Sequence, residues 1–472
     1  MTESQSEDVP QEVQIMVTKD ESESARSRFW RVLCLLFFLG TLFQSFKPST
    51  PFMSPYLKFR HGMTGTDISN QYYPYRTFSM FFLMVPITVL AEFYVGYMPV
   101  LFAGILARVS EQFLLYYCPA QNFHLIRFSQ VLHGMASCTK TVHGAILYLI
   151  APHEFFPVMT GLLRTSNLTG QVFEGITSNI IYEYWNDPEK EFFILFTITQ
   201  IMVTAGGIFM IILFAILYYD RKCSTNKDSS RPLAPRITSL GMLRDLLRKV
   251  YWETPGVLLW SFWWWTAYSV GELVDEMHTA LIEDRLKKGA KNGFLSATIG
   301  ATSALCAFLT GRSENVVKKY STSIVIGCLA LSGTLLLTVS HLDKGHDYFF
   351  YACIVTTLFL SEGSAVAANS TISVALPKSL RGLTLFFNTF LQLMFQSAVQ
   401  AIPQACDWSV STKFKILGVI LYLVCFVIFF GTQKTILGRS QAKSAPDEIS
   451  VGARCPPAKC LEGNDAAPVY GA

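Results

Sequence analysis

Charge is scarce in this chain. Of 472 residues only 15% are Asp, Glu, Lys or Arg and 51% are hydrophobic, where a soluble protein carries about a quarter charged residues. That balance excludes an ordinary soluble domain and identifies an integral membrane composition. The net charge of +4 is small for the length, and no concentrated basic face accompanies it, so a nucleic-acid partner is not expected. Eleven cysteines occur without a CxxC pair or a metal-ligand spacing, which argues for unpaired thiols and against a metal site. A disulfide between Cys118 and Cys406, in loops assigned below to the outside, stays open. Catalytic signatures are missing as well: there is no nucleotide-binding glycine loop, no HExxH and no G-x-S-x-G elbow. Neither an enzyme nor a bound cofactor is expected. Residues 1–28 are polar and acidic rather than a short basic leader, so the first apolar run is expected to be retained. Asn167 and Asn369 head N-x-S/T triplets inside apolar runs, which leaves the outside loops without a glycosylation acceptor.

What the chain has is apolar length. Runs long enough to cross a bilayer as helix fall near 29–57, 72–95, 98–117, 123–151, 155–182 and 192–219. Six more fall near 255–282, 290–311, 321–340, 347–375, 379–405 and 411–436. The expected organisation is a tail (1–28), a six-helix half (29–219), a polar linker (220–253), a second six-helix half (254–436) and a tail (437–472). The linker carries Arg221, Lys222, Lys227, Arg231, Arg236, Arg244, Arg248 and Lys249, the largest basic cluster in the chain. Basic segments stay cytosolic. With linker and both tails inside, 21 Lys and Arg lie in inside segments against 10 in outside ones. The expected fold is an all-α membrane protein, a major-facilitator-type bundle of twelve helices whose halves rock about a midplane site. The turn between spans 2 and 3, EFYVGYMPV, lacks the Gly-Asp-Arg signature of many facilitators.

One stretch interrupts the first span: FKPSTPFMSPYL, Phe46 to Leu57. Pro48 and Pro51 remove backbone donors and clash with the preceding turn, and freed backbone groups in lipid need partners in protein or in a water-filled cavity. This helix end is expected to line a cavity.

KPSTPFMSPYL is similar to the first-span signature of the reduced folate carrier family, and DISNQYYPYRTFSMFFLMVPITVLAEFYVGYMPV resembles that family's second-span block. Further echoes are HGMASCTKTVHGAILY, GLLRTSNLTG, LLWSFWWW, NGFLSATIGATSALCAFLTG and RGLTLFFNTF, in order along residues 29–436. The resemblance implies a facilitator fold in the lipid bilayer, in the plasma membrane, carrying a vitamin-sized organic ion. A folate-like substrate is the first implication, with a proton or an organic anion as counter-substrate. A thiamine-type cation transporter, or a non-transporting vitamin sensor on the same fold, stays open.

Intramembrane charges are costly and mark pathways or partners. Lys140 resembles the position at which folate-transporting members carry an arginine and thiamine-transporting members a glutamate. Thr50 stands where the family signature has an acidic residue, Glu362 where it tends to be basic, and Gln396 where folate carriers have a lysine. Tyr56 belongs to the first-span signature, and His143, with His133, is a proton relay or a packed neutral histidine. Glu272 shares a helix face with Asp275 and Glu276, near His278, as a cation or proton site or a solvated helix end. The candidate substrate-binding set is Lys140, Glu362, Thr50, Tyr56, His143, Gln396 and Glu272, in which Lys140 is the one clearly placed cation. Arg108 and Glu111 are spaced to neutralise each other. Glu92 ties helices or touches substrate, and Arg164 resembles a family arginine with a structural role. Trp260, Trp263, Trp264 and Trp265 fit an interfacial belt or a stacking surface.

Overall fold

The structure, a computed structural model, describes residues 29–95, 97–119, 122–150, 156–184, 187–224, 240–254, 256–285, 291–312, 314–342, 346–376 and 378–444. All regular elements among the described residues are helical. The first helix, α1 (29–45), ends at the proline-rich break. A short 3-10 turn, Thr50–Phe52, leads into α2 (Met53–His61), and a single turn, α3 (Gly65–Asp67), precedes α4 (Tyr73–Val89). There follow α5 (Tyr97–Tyr117), α6 (Phe123–Ile150), α7 (Phe156–Tyr184), α8 (Pro188–Ser224) and the short α9 (Leu240–Arg248). The second half holds α10 (Val257–Trp263), α11 (Ser269–Arg285), α12 (Asn292–Arg312), α13 (Glu314–His341), α14 (Asp347–Ala375), α15 (Lys378–Cys406) and α16 (Val410–Ser444). Residues Met1–Phe429 form one compact unit; Phe430–Ala472 form another, whose described part is the helix up to Ser444.

Seven stretches among the described residues combine the length and apolarity needed to cross a membrane: Phe29–His61, Met98–Tyr117, Pro188–Leu217, Asn292–Thr310, Lys319–His341, Asp347–Ala368 and Val410–Thr432. Sequence reading expects twelve, of which these seven stand among the described residues. α4 and α11 are each 17 residues; wide π turns adjoin them at Ile68–Tyr72, Leu90–Tyr94 and Trp264–Tyr268, and both carry charges. Such turns occur often at functional sites.

The break in the first span behaves as proline chemistry dictates. Freed backbone donors are taken by neighbouring helices: the Lys47 N–H donates to Glu174 Oε2 on α7 at 3.2 Å, and the Ser49 N–H to Thr199 Oγ1 on α8 at 3.0 Å. The chain thereby turns without leaving orphaned donors at those positions.

Between the N-terminal and C-terminal sets of helices, α4 packs on α15, α7 on α12, and α2 and α3 on α11. Lipid is as apolar as leucine, so close packing of small residues, rather than water exclusion, holds such contacts. Gly175 and Gly293 meet across α7 and α12 so tightly that a Cβ at Gly175 would stand 2.3 Å from the Gly293 carbonyl oxygen. The larger hydrophobic cluster joins Phe52, Tyr56 and Leu57 of the first span to Trp263, Leu273, Val274 and Leu281. A second cluster packs Leu33 and Phe37 of α1 with Met84, Leu213, Phe214 and Leu393.

Candidate functional site, an intramembrane charge cluster

Three cations reach the interior from three segments: Lys47 from the break after α1, Arg76 from α4 and Arg108 from α5. Lys47 lies within electrostatic reach of Arg108, Glu174, Glu111 and Arg76, and Arg76 within reach of Glu276, Glu272, Glu111 and Asp275. Charges buried in a membrane protein persist when paired or when they face an aqueous cavity, and the first condition is met.

Pairing comes first. Arg108 Nη1 donates to Glu111 Oε2 at 2.8 Å, as the three-residue spacing predicts. His133 joins them from α6: its Nδ1 stands 2.7 Å from Glu111 Oε1 and 2.9 Å from Arg108 Nη1. Arg76 Nη1 stands 3.5 Å from Glu276 Oε1 on α11, and Gln400 Nε2 on α15 donates to Glu276 Oε2 at 3.2 Å. One turn beyond Arg76 and Glu276, the hydroxyls of Ser54, Tyr73 and Thr279 form a small ring, with Thr279 at 3.0 Å from Ser54 and 3.2 Å from Tyr73.

Access is unequal, and it sets the sign of the surface. The side chains of Arg76 and Arg108 remain 28% and 15% accessible, whereas those of Glu276 and Glu111 are 6% and 3% accessible. Lys47 is half-buried and Glu174 buried. The carboxylates are the more deeply buried partners, and the cations keep the larger accessible share. A cluster of this kind offers positive charge and N–H donors to an anion in a poorly screened site.

The residues expected from sequence fall on several different helices. Lys140 and His143 lie on α6, and Glu92 on the π turn after α4, but their side chains, like that of Arg164, lie outside the described residues. Glu272 is half-buried on α11, one turn before Glu276, within electrostatic reach of Arg76. Asp275 is exposed. Glu362 is half-buried on α14, and Gln396 is buried on α15, one turn before Gln400. Thr50 is exposed at the 3-10 turn. Tyr56 is 2% exposed, its hydroxyl donating to the Leu115 carbonyl at 2.7 Å and its ring packed on Phe192 and Phe196.

Other expectations shift. Of the tryptophans, Trp260 and Trp263 are buried, Trp265 Nε1 donates to Asn388 Oδ1 at 3.0 Å, and Trp264 stacks on Tyr268 at 4.7 Å. Cys118 and Cys406 are free thiols. Lys140 is no longer the sole placed cation, because Lys47, Arg76 and Arg108 form the cluster. Arg76 and Glu174 escaped attention in the sequence, although an isolated charge within an apolar run was signal enough.

The reduced folate carrier family profile matches residues 27–234 and 220–416. Folate transporter 1 of Caenorhabditis elegans is 20% identical over 440 residues, covering 87% of this chain and 94% of the relative. Folate-like transporter 3 of the same organism is 22% identical over 79% of this chain and 89% of its own length. Thiamine transporter 1 of Homo sapiens is 27% identical over 157 residues, 33% of this chain and 31% of that one. Among solved structures, the POT family transporter PepTSo matches with TM-score 0.64 and 10% identity, over 86% of this chain and 98% of that one. This last likeness speaks for the fold alone. A multi-pass membrane protein with a transporter fold, matched along most of its length, this chain belongs to the reduced folate carrier family, whose members here are transporters and not enzymes.

Proposed function

We propose that this protein is a secondary transporter that moves a folate-like organic anion across the plasma membrane by alternating access. In this reading twelve helices cross the bilayer in two halves, 29–219 and 254–436, with tails and linker in the cytosol. The observation that carries it is the unequal access within the charge cluster: Arg76 and Arg108 are partly accessible while Glu276 and Glu111 are shielded. An anion entering such a site meets positive charge first. The relatives matched along most of the chain are named folate or folate-like transporters, which supports the same substrate class. Lys140, His143, Glu362, Gln396, Thr50, Tyr56 and Glu272 remain the family-derived candidates around the path, and a proton or an organic anion is the counter-substrate.

A thiamine-type cation is the second reading, favoured by one observation: Glu272, half-buried, and Asp275, exposed, add acid beside Arg76. Uptake into proteoliposomes separates the two. Labelled 5-methyltetrahydrofolate is expected to accumulate and thiamine and pyridoxine are not. Accumulation of thiamine alone would replace the anion reading with the cation one. Binding without accumulation would make the protein a sensor.

A further inference from the structure

The Arg76–Glu276 pair is built unlike a structural ion pair. A charge-assisted Arg–carboxylate contact closes to about 2.7–2.9 Å and is often bidentate. Here the nearest atoms, Arg76 Nη1 and Glu276 Oε1, stand 3.5 Å apart. Arg76 Nε is buried without a hydrogen-bond partner, and so is Gln400 Oε1. Glu276 is nevertheless anchored on its other side by the Gln400 amide at 3.2 Å. The site therefore holds a guanidinium with an unmet N–H, an amide oxygen whose lone pair a carboxylate cannot meet, and a carboxylate that leaves the guanidinium only loosely paired. Arg76 keeps 28% of its side chain accessible and Glu276 only 6%, so an incoming molecule meets the arginine before its counter-ion.

We propose that Glu276 is a resident stand-in for substrate: a substrate carboxylate displaces it from Arg76 and takes the guanidinium edge. The displaced Glu276 and Gln400 Oε1 then accept from an N–H donor on the same molecule. The ligand class is an organic acid with a hydrogen-bond donor near its carboxylate. This rests on the anion-transporter reading and deepens it. A mechanical consequence follows, because Arg76 belongs to α4 and Glu276 to α11, one helix from each half. Exchange of partners removes a tie between the halves at the moment of binding, so binding favours whichever arrangement has that tie broken.

The test uses the purified full-length protein with 5-methyltetrahydrofolate as probe, read by equilibrium binding, with thermal unfolding as a check on folding. Arg76→Gln is expected to weaken binding about tenfold or more, the loss of one well-placed charge pair. Glu276→Gln removes the competitor and is expected to tighten binding several-fold while slowing turnover in uptake. The gain requires the arginine, so R76Q/E276Q is expected to bind as weakly as R76Q alone. The swapped pair R76E/E276R restores opposite charges across the same gap and is expected to unfold near the wild-type temperature without recovering binding. Weaker or unchanged binding by E276Q, or wild-type affinity in R76Q or in the swapped pair, would overturn the exchange. A wild-type protein that binds no folate but takes up thiamine would overturn the anion reading itself, and the exchange with it.

Discussion

Lys413 Nζ donates to Ser69 Oγ at 2.8 Å, joining the start of α16 to the turn before α4 across 344 residues of sequence. The same ammonium donates to Asn70 Oδ1, and Asn70 Nδ2 donates to Asp407 Oδ1 at 2.8 Å. Asp407 has φ of 51°, the one positive φ outside glycine among the described residues. Such a backbone costs on the order of 1–3 kcal/mol and persists where its surroundings over-determine it; the Asn70 bond is one such constraint. A cavity of about 20 Å³, enough for one water by volume, lies beside Ser69, Gln400 and Lys413.

Lys413→Met keeps the shape of the side chain and removes its three donors. Ser69 and Asn70 are buried, and leaving their oxygens short of a donor is expected to destabilise the protein by about 1–3 kcal/mol. Thermal unfolding of the purified variant checks this. A midpoint equal to wild type would mean that the contact contributes nothing to holding the two segments together.

The Arg108–Glu111 pair gives an asymmetric expectation. Removing one partner of a buried pair strands the other charge and costs about 3–5 kcal/mol, whereas removing both is often close to neutral. Arg108→Gln is therefore expected to lose surface protein, and R108Q/E111Q to regain most of it. Equal loss in single and double variants would contradict the pairing.

Gly175→Ala places a methyl group 2.3 Å from the Gly293 carbonyl oxygen, and the overpacking is expected to cost about 1–3 kcal/mol. Gly327, within α13, offers a control, because a Cβ there meets nothing within 4 Å. Gly327→Ala is expected to be neutral or to stabilise by about 0.5–1 kcal/mol through helix propensity. Paired thermal unfolding curves give the comparison directly, and a Gly175→Ala midpoint equal to that of Gly327→Ala would deny the close approach of α7 and α12.

Local chemistry was legible in the sequence. Pro48 and Pro51 announced the break, and the three-residue spacing of Arg108 and Glu111 announced their contact. Long-range convergence was not. Arg76 and Glu276 are 200 positions apart, and nothing in either apolar run tells which face of α4 meets which face of α11. Spacing grouped Glu276 with Glu272, and both lie within electrostatic reach of Arg76, but spacing could not say that Glu276 is the one that meets it. The tryptophans were ambiguous for a related reason: Trp260 and Trp263, three apart, are both buried, and an indole serves a helix contact as well as a membrane interface. Lys413 follows a polar turn in a segment assigned to the outside, and nothing local tells that it is 5% exposed.

If the accessible cations select an anion, uptake by the protein reconstituted alone into liposomes shows it. Wild type is expected to accumulate labelled 5-methyltetrahydrofolate, with accumulation falling about tenfold or more in apparent affinity when Arg76 is replaced by glutamine. Thiamine uptake is expected to stay at the level of empty liposomes in both. Thiamine accumulation that survives or improves in R76Q, with no folate uptake in either protein, would mean that these cations do not select an anion.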